Sequence, residues 1–95
     1  MLDNEVKQRI QKDPSMMVPW YLMASYAYYK EDKPIFTDSY FDSLSKELLK
    51  EYDNIEHRHK ELISKDALEA GTYLGSYPSI VKGALENVRQ QFKLS

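Results

Sequence analysis

Seven aromatic side chains lie within one short stretch of this chain, and two aspartates stand at the end of that stretch. The aromatic residues are Trp20, Tyr21, Tyr26, Tyr28, Tyr29, Phe36 and Tyr40, and the aspartates are Asp38 and Asp42. Aromatic rings stack on flat ligands and on other rings, and carboxylates accept hydrogen bonds and attract cations. The pattern is typical of a binding surface.

The residue types needed for catalysis or for a metal site are missing or badly spaced. There is no cysteine, no serine in a nucleophile-elbow pattern and no glycine-rich phosphate loop. His57 and His59 are two residues apart, so on a helix they would point to different faces, and we expect both to be solvated. We therefore predict neither an enzyme nor a metal-binding protein.

The elements that must position these side chains are helical. Apolar residues recur every three or four positions, and prolines and polar capping residues mark the ends of these segments. This pattern predicts helices over residues 3–12, 19–29, 38 to about 55, 65–70 and 79–93. A turn is expected over residues 75–78, and a strand is possible only as a short piece around residues 73–74. The sequence predicts a single all-α domain over residues 1–95, a compact array of four to five short helices.

Local signals place the helix ends and one helix contact. Asp3 and Asp38 are expected to cap their helices, and Ser64 to cap the short helix after it. The apolar stripe of the third helix consists of Phe41, Leu44, Leu48, Tyr52 and Ile55, and that of the last helix of Ile80, Ala84, Val88 and Phe92, with Val81 and Leu85 beside it. Gly83, inside the last helix, would mark a close helix crossing.

The helix over residues 19–29 is apolar or aromatic nearly all round. A small domain can bury one or two sides of such a helix, so any remaining side is exposed or covered by something else. One interpretation is a central core helix whose tyrosine hydroxyls reach solvent. The other is a contact face for a partner protein, a second copy of the chain or a stacked ring, made of the seven aromatic residues named above, with Phe36 and Tyr40 on the neighbouring loop.

The order of elements around residues 28–44 resembles a known family. A helix ending in Tyr28-Tyr29 is followed by a loop with Pro34, by Asp38-Ser39-Tyr40-Phe41-Asp42-Ser43-Leu44, and by a charged helix. This is similar, over residues 20–63, to the N-terminal subdomain of bacterial NAD-dependent DNA ligases, whose pattern is Tyr-His, a proline loop, then Asp-x-x-Tyr-Asp-x-Leu. In that family the small helical subdomain precedes the nucleotidyltransferase domain and closes over the nicotinamide mononucleotide half of NAD.

The resemblance implies roles for three residues. Tyr28 stands at the family's ring-stacking tyrosine, and Asp38 and Asp42 stand at the two aspartates that engage the nicotinamide nucleotide. Two positions depart from the pattern: Tyr29 replaces a histidine, and Phe41 replaces a tyrosine. Without a ligand, the same residues make a stable helix start, because aspartates favour the positive end of a helix.

Ligase chemistry itself is not expected. Family adenylation uses a lysine in a Lys-x-Asp-Gly motif, which does not occur in this chain; the Lys-Asp step at Lys65-Asp66 is followed by Ala67. The chain of 95 residues also leaves no room for the other ligase domains. We expect a module that binds rather than catalyses.

Two functions follow as expectations. The first is a small non-enzymatic interaction protein of the kind bacteriophages encode, which binds and modulates or inhibits a host protein, needs no cofactor and can form a homodimer. The alternative is a module that binds NAD or nicotinamide mononucleotide, alone or with a nucleotidyltransferase in trans. A third, weaker option is a nucleic-acid accessory protein using Lys82, Arg89 and Lys93, but a net charge of −2 disfavours it.

The remaining expectations concern location. No apolar stretch approaches the ~20 residues of a membrane helix, and the first residues lack the basic start of a signal peptide. Met1 and the short length predict a complete small gene product. We expect a cytoplasmic protein, in the host cytoplasm if a phage encodes it, with no membrane partner.

Overall fold

The computed structural model describes residues 1–70 and 77–92 and contains five α-helices in that part of the chain. They are α1 (Asp3–Lys12), α2 (Met17–Tyr29), α3 (Asp38–Glu51), α4 (Lys65–Ala70) and α5 (Ser79–Gln91). Single turns of 3-10 helix lie at Pro14–Met16, Tyr52–Asn54 and Lys60–Leu62. The described residues contain no strand, which confirms the all-α prediction. None of their helices is long and apolar enough to cross a membrane.

Helix α2 forms the centre of the fold. It packs against α3 on one side and α5 on another, and nine of its residues are buried. The helix begins at Met17, earlier than predicted, because a 3-10 turn starting at Pro14 leads directly into it. The Asp13 carboxylate accepts hydrogen bonds from the backbone N–H and the hydroxyl of Ser15, at 3.2 and 2.6 Å, and fixes that turn.

The N-cap of helix α3 lies one residue before the predicted cap. Thr37 has extended backbone angles, and its Oγ1 accepts a hydrogen bond from the Tyr40 N–H at 3.2 Å, so Thr37 is the N-cap. Asp38 is already the first helical residue. The prediction that Asp38 caps the helix is therefore wrong, and its carboxylate is left for other contacts.

The far end of α3 is shorter than the apolar stripe suggested. Leu44 and Leu48 are buried, but the α-helix ends at Glu51 and a 3-10 turn follows it. Ile55 is buried from extended backbone after that turn. The ring of Tyr52 is half-buried, and its hydroxyl donates a hydrogen bond to the carbonyl of Ile63 at 2.8 Å. This contact stabilises Tyr52 in the 3-10 turn that follows α3.

Helix α1 has the predicted bounds but not the predicted cap. Asp3 lies inside the helix, and its carboxylate accepts hydrogen bonds from Thr37 instead of capping its own helix. Val6 is the buried residue of α1, and Leu2, just before the helix, is buried too. The contact with Thr37 joins the start of α1 to the start of α3.

The last two helices follow their sequence signals in part. Ser64 caps α4 as predicted, since its Oγ accepts from the Ala67 N–H at 3.0 Å. The inward face of α5 is centred on Val81 and Leu85, while Ile80, expected on that face, is 54% exposed. The strand considered at residues 73–74, the first half of the turn predicted over residues 75–78 and the predicted end of α5 at Lys93 lie outside the described residues.

Gly83 makes no close helix crossing, so that prediction is wrong. A Cβ atom built on Gly83 meets nothing within 4 Å, and the residue is exposed. Because glycine inside a helix costs about 1 kcal/mol relative to alanine, Gly83→Ala should raise the free energy of unfolding by about 0.5–1 kcal/mol. Denaturant unfolding measures this, with Lys82→Ala as the neighbouring control expected to change little. A loss of stability in Gly83→Ala would reveal a contact that the structure does not show.

Candidate functional site

One cleft brings together residues from the end of α2 and the start of α3. It is lined by Tyr28, Tyr29, Asp38, Phe41 and Asp42 and has a volume of about 170 Å³. The last turn of α2 supplies the two tyrosines, and the first turns of α3 supply the other three residues. We call it the α2–α3 cleft.

The aromatic wall of the α2–α3 cleft is a stack that starts in the core. The rings of Tyr21 and Phe41 are nearly parallel, with centroids 5.4 Å apart, and Phe41 is followed by Tyr28 at 6.2 Å and an interplanar angle of 13°. Tyr29 meets Tyr28 edge-on at 4.8 Å. Tyr21 is fully buried, whereas Tyr28 is 42% and Tyr29 37% exposed. The core thus orients two rings that remain accessible at the surface.

The acidic wall consists of two exposed carboxylates. The Asp38 carboxylate makes no hydrogen bond or ion pair with any described residue, because Thr37 has taken the capping position. Asp42 pairs with Lys46 at 3.0 Å on the same helix, and the two side chains are 58% and 75% exposed. Such an exposed pair contributes little stability, so a ligand can displace Lys46 at small cost.

Tyr29 stays a neutral hydrogen-bond donor at physiological pH. Partial burial, with a smaller effect from Tyr28, raises the pKa of its phenol above the usual value. The cleft therefore combines flat aromatic faces, a phenol and two carboxylates. That set suits a planar ligand with positive charge and with N–H or O–H donors.

Comparison with protein families decides the descent of this chain. The family model for the DNA ligase-like, N-terminal NAD⁺-binding domain matches residues 5–67 of the 95. The chain belongs to this family. The matched region contains all five residues of the α2–α3 cleft and extends beyond the resemblance recognised over residues 20–63. Comparison with curated proteins and with solved structures finds no match.

As an NAD⁺-binding-domain family member, the chain keeps the site positions together. Tyr28, Asp38 and Asp42, the three residues implied by the resemblance, share the α2–α3 cleft. The two departures, Tyr29 for histidine and Phe41 for tyrosine, line the same cleft. Both departures from the family pattern therefore lie at the cleft.

The seven aromatic residues predicted to form a contact face do not share one surface. Trp20, Tyr21 and Phe36 are buried in the core. Tyr26 and Tyr40 are half-buried: Tyr26 packs edge-on against Tyr77, and Tyr40, which lies in α3 and not on the loop, packs edge-on against Phe36. Among the seven, Tyr28 and Tyr29 are the exposed residues, and both belong to the cleft.

Two other surface grooves do not combine exposed aromatic rings with paired carboxylates. A groove of about 270 Å³ between α1 and α3 has an apolar floor that includes Ile10, Met17 and Leu44. A smaller one lies beside His57 and His59. These histidines are half-buried and not solvated as predicted, because the His59 N–H donates to His57 Nδ1 at 3.1 Å.

The surroundings of His57 disfavour its charged form. Burial, followed by the positive charges nearby, lowers the pKa of His57, so it is mostly neutral at pH 7. Within residues 1–70 and 77–92, no group of three metal-ligating side chains comes together.

Proposed function

We propose that this chain is a nicotinamide-nucleotide binding module that holds the nicotinamide end of NAD or nicotinamide mononucleotide in the α2–α3 cleft. The observation that carries the proposal is the meeting of Tyr28, Asp38 and Asp42 in one open cleft of a chain that belongs to the NAD⁺-binding-domain family. The family pattern identifies these three residues from the sequence alone. They lie up to fourteen residues apart along the chain, from 28 to 42, and the fold brings their side chains to one cleft.

Charge favours the nicotinamide end of the nucleotide over its phosphate end. The oxidised nicotinamide ring is a planar cation, and the cleft offers the exposed face of Tyr28 and two carboxylates. A cation over an aromatic face gains about 0.5–2 kcal/mol, depending on its desolvation. A phosphate would be repelled by the carboxylates of Asp38 and Asp42. Within the described part of the chain, the one ion pair at these two residues joins Asp42 to Lys46.

Size limits how much of the ligand the cleft encloses. Its volume of about 170 Å³ is below the ~300–1,000 Å³ of a site that encloses a whole drug-sized ligand. The cleft can hold one ring and leaves the ribose and phosphate outside. A module of this kind acts as a sensor, or it completes a site with a nucleotidyltransferase in trans.

The module is proposed to bind without catalysing adenylation. The lysine of the Lys65-Asp66 step forms an exposed ion pair with Asp53 at 3.1 Å and does not line the α2–α3 cleft. The residues of the cleft are donors, acceptors and rings, which orient a ligand but form no covalent bond with an adenylate.

Calorimetric titration tests the proposal with three ligands that differ in one property each. Nicotinamide mononucleotide carries the cationic ring, its reduced form carries a neutral ring, and adenosine monophosphate lacks the ring. We expect binding of the oxidised mononucleotide, weaker binding of the reduced form and none of adenosine monophosphate. Equal binding of the oxidised and reduced rings would remove the role assigned to the carboxylates, and no heat with any ligand at millimolar concentration would contradict the proposed function.

Restoring the two family residues should strengthen binding. Tyr29→His exchanges a phenol for an imidazole, and Phe41→Tyr adds a hydroxyl to the cleft. One hydrogen bond to the ligand from each of these two family groups contributes about 0.5–1.5 kcal/mol. The double variant should therefore lower the dissociation constant for nicotinamide mononucleotide about tenfold. Phe92→Tyr, which adds a hydroxyl at the end of α5 away from the cleft, is the control. If the natural chain binds and the double variant binds no better, the two added groups do not reach the ligand.

A role as an interaction or inhibitor protein has less support. The aromatic surface expected to carry it is reduced to Tyr28 and Tyr29 on the outside of the molecule. The same two tyrosines line the nucleotide cleft, so a partner on them and a nucleotide in the cleft would compete. Binding to a host protein, a phage origin and dimer formation remain predictions from the sequence.

A further inference from the structure

The loop between α2 and α3 sets the geometry of the α2–α3 cleft. It runs over residues 30–37, from the residue after Tyr29 to the residue before Asp38. Inside it, the Lys33 N–H donates to the carbonyl of Ala27 at 2.9 Å, and Asp32 has a φ of 54°, in the left-handed region. A non-glycine residue with such a φ is uncommon, so contacts elsewhere must hold this conformation.

Arg89 of α5 holds the first half of the loop. Its Nη2 donates to Glu31 Oε1 at 3.1 Å and to the carbonyl of Lys33 at 2.6 Å, on the two sides of Asp32. The side chains of Arg89 and Glu31 are only 14% and 26% exposed. Charge-assisted bonds with this much shielding are stronger than surface ion pairs.

Asp3 of α1 holds the second half of the loop. Its two carboxylate oxygens accept from the backbone N–H of Thr37 at 3.0 Å and from the Thr37 hydroxyl at 2.6 Å. The same Thr37 Oγ1 accepts from the Tyr40 N–H and caps α3. Asp3 therefore fixes the residue that caps α3 and directly precedes Asp38 of the acidic wall.

Both contacts come from outside the family match. The match covers residues 5–67, so Asp3 lies before it and Arg89 after it, while the loop and the cleft lie inside. The segments beyond the matched region are thus attached to the one loop that joins the two walls of the site. Neither residue lines the cleft.

We propose that Asp3 and Arg89 are positioning residues that hold the α2–α3 loop in its binding-competent conformation. The inference rests on the function proposed above. When only a fraction of molecules has a competent site, the apparent dissociation constant rises by the inverse of that fraction. Releasing the loop therefore weakens binding although every cleft residue is unchanged.

The experiment combines affinity with a direct measure of loop order. Arg89→Met keeps the apolar stem and removes the guanidinium, Arg89→Lys keeps the charge, and Glu31→Gln is the milder change from the other side. The control is Arg9→Met. Arg9 forms an ion pair with Glu5 at 3.1 Å on α1, and the two side chains are 40% and 45% exposed. Calorimetry gives the dissociation constant for nicotinamide mononucleotide, and amide hydrogen exchange of Lys33 and Thr37 reports the loop, with the Leu22 amide of α2 as the reference for global unfolding.

The expected result separates positioning from mere stabilisation. Arg89→Met should raise the dissociation constant about fivefold or more and speed the exchange of the Lys33 amide more than that of Leu22, with partial recovery in Arg89→Lys. Arg9→Met should change neither. Faster loop exchange with an unchanged dissociation constant would overturn the positioning role, and so would unchanged loop exchange. If the natural chain itself binds no nucleotide, the proposed function fails first, and this inference fails with it.

Discussion

Replacing Asp38 by alanine is expected to weaken nicotinamide mononucleotide binding about tenfold to a hundredfold. A hydrogen bond to a charged group contributes about 1.5–3 kcal/mol, and each 1.4 kcal/mol corresponds to a tenfold change in affinity. The Asp38 carboxylate is exposed and lines the cleft, where it can accept hydrogen bonds from a ligand. The measurement is calorimetric titration of the variant beside the natural chain.

A matched control removes the contribution of the helix terminus. Asp66 is an exposed acidic residue in the first turn of α4, which Ser64 caps as Thr37 caps α3. Both Asp38→Ala and Asp66→Ala should lose about 0.3–1 kcal/mol of stability from the helix dipole. Only Asp38→Ala should lose affinity. Equal affinities in the two variants would mean that Asp38 serves the helix alone.

Replacing Tyr28 by alanine should cost about tenfold to a hundredfold in affinity, whereas Tyr28→Phe should bind nearly as well as the natural chain. Stacking of a base on an aromatic side chain contributes about 1–3 kcal/mol, and phenylalanine keeps the ring. Tyr28 is 42% exposed at the outer end of the stack formed with Phe41 and Tyr21, so its removal opens no internal cavity. Circular dichroism should therefore show an unchanged helix content.

The contrast between the two Tyr28 variants is the informative part of this test. Loss of binding in both would assign the effect to the hydroxyl and not to stacking. Retained binding in both would place the nicotinamide ring elsewhere. In either case the ring stack described here would not be the ligand platform.

The helices could be predicted from the sequence because their signals are local. The residue steps of three and four in α3, the Ser64 cap of α4 and the apolar character of α2 each depend on neighbours a few residues away. Where two good capping residues are adjacent, local signals are not enough. Thr37 and Asp38 can both cap a helix. The residue that does so, Thr37, also donates its hydroxyl proton to Asp3, which is 34 residues away and carries no local signal.

The members of the site could be identified, but not their surroundings. The family pattern placed Tyr28, Asp38 and Asp42 on the chain, and the fold brings them into one cleft. Burial of Trp20, Tyr21 and Phe36 could not be read from the sequence, because a helix that is apolar all round does not show which of its sides the rest of the protein covers.

Long-range polar contacts were also hidden from the sequence. The sequence offers Arg89 as a nucleic-acid contact, but in the structure it pairs with Glu31, which is 58 residues away and has no pattern linking it to Arg89. Gly83 looked like a helix crossing because glycine has that role in many proteins, yet its position on α5 faces open space. Such features depend on which helix faces meet, and that is a property of the packed fold.

The most direct test of the central claim is to map the ligand by amide chemical shifts of the isotopically labelled chain during titration with nicotinamide mononucleotide. Binding in the α2–α3 cleft predicts that the largest shifts occur at Tyr28, Tyr29, Asp38, Phe41 and Asp42 and saturate with one dissociation constant. The larger groove between α1 and α3 should stay unperturbed at Lys7, Ile10 and Gln11. Shifts centred on that groove, or no shifts at millimolar nucleotide, would contradict the account.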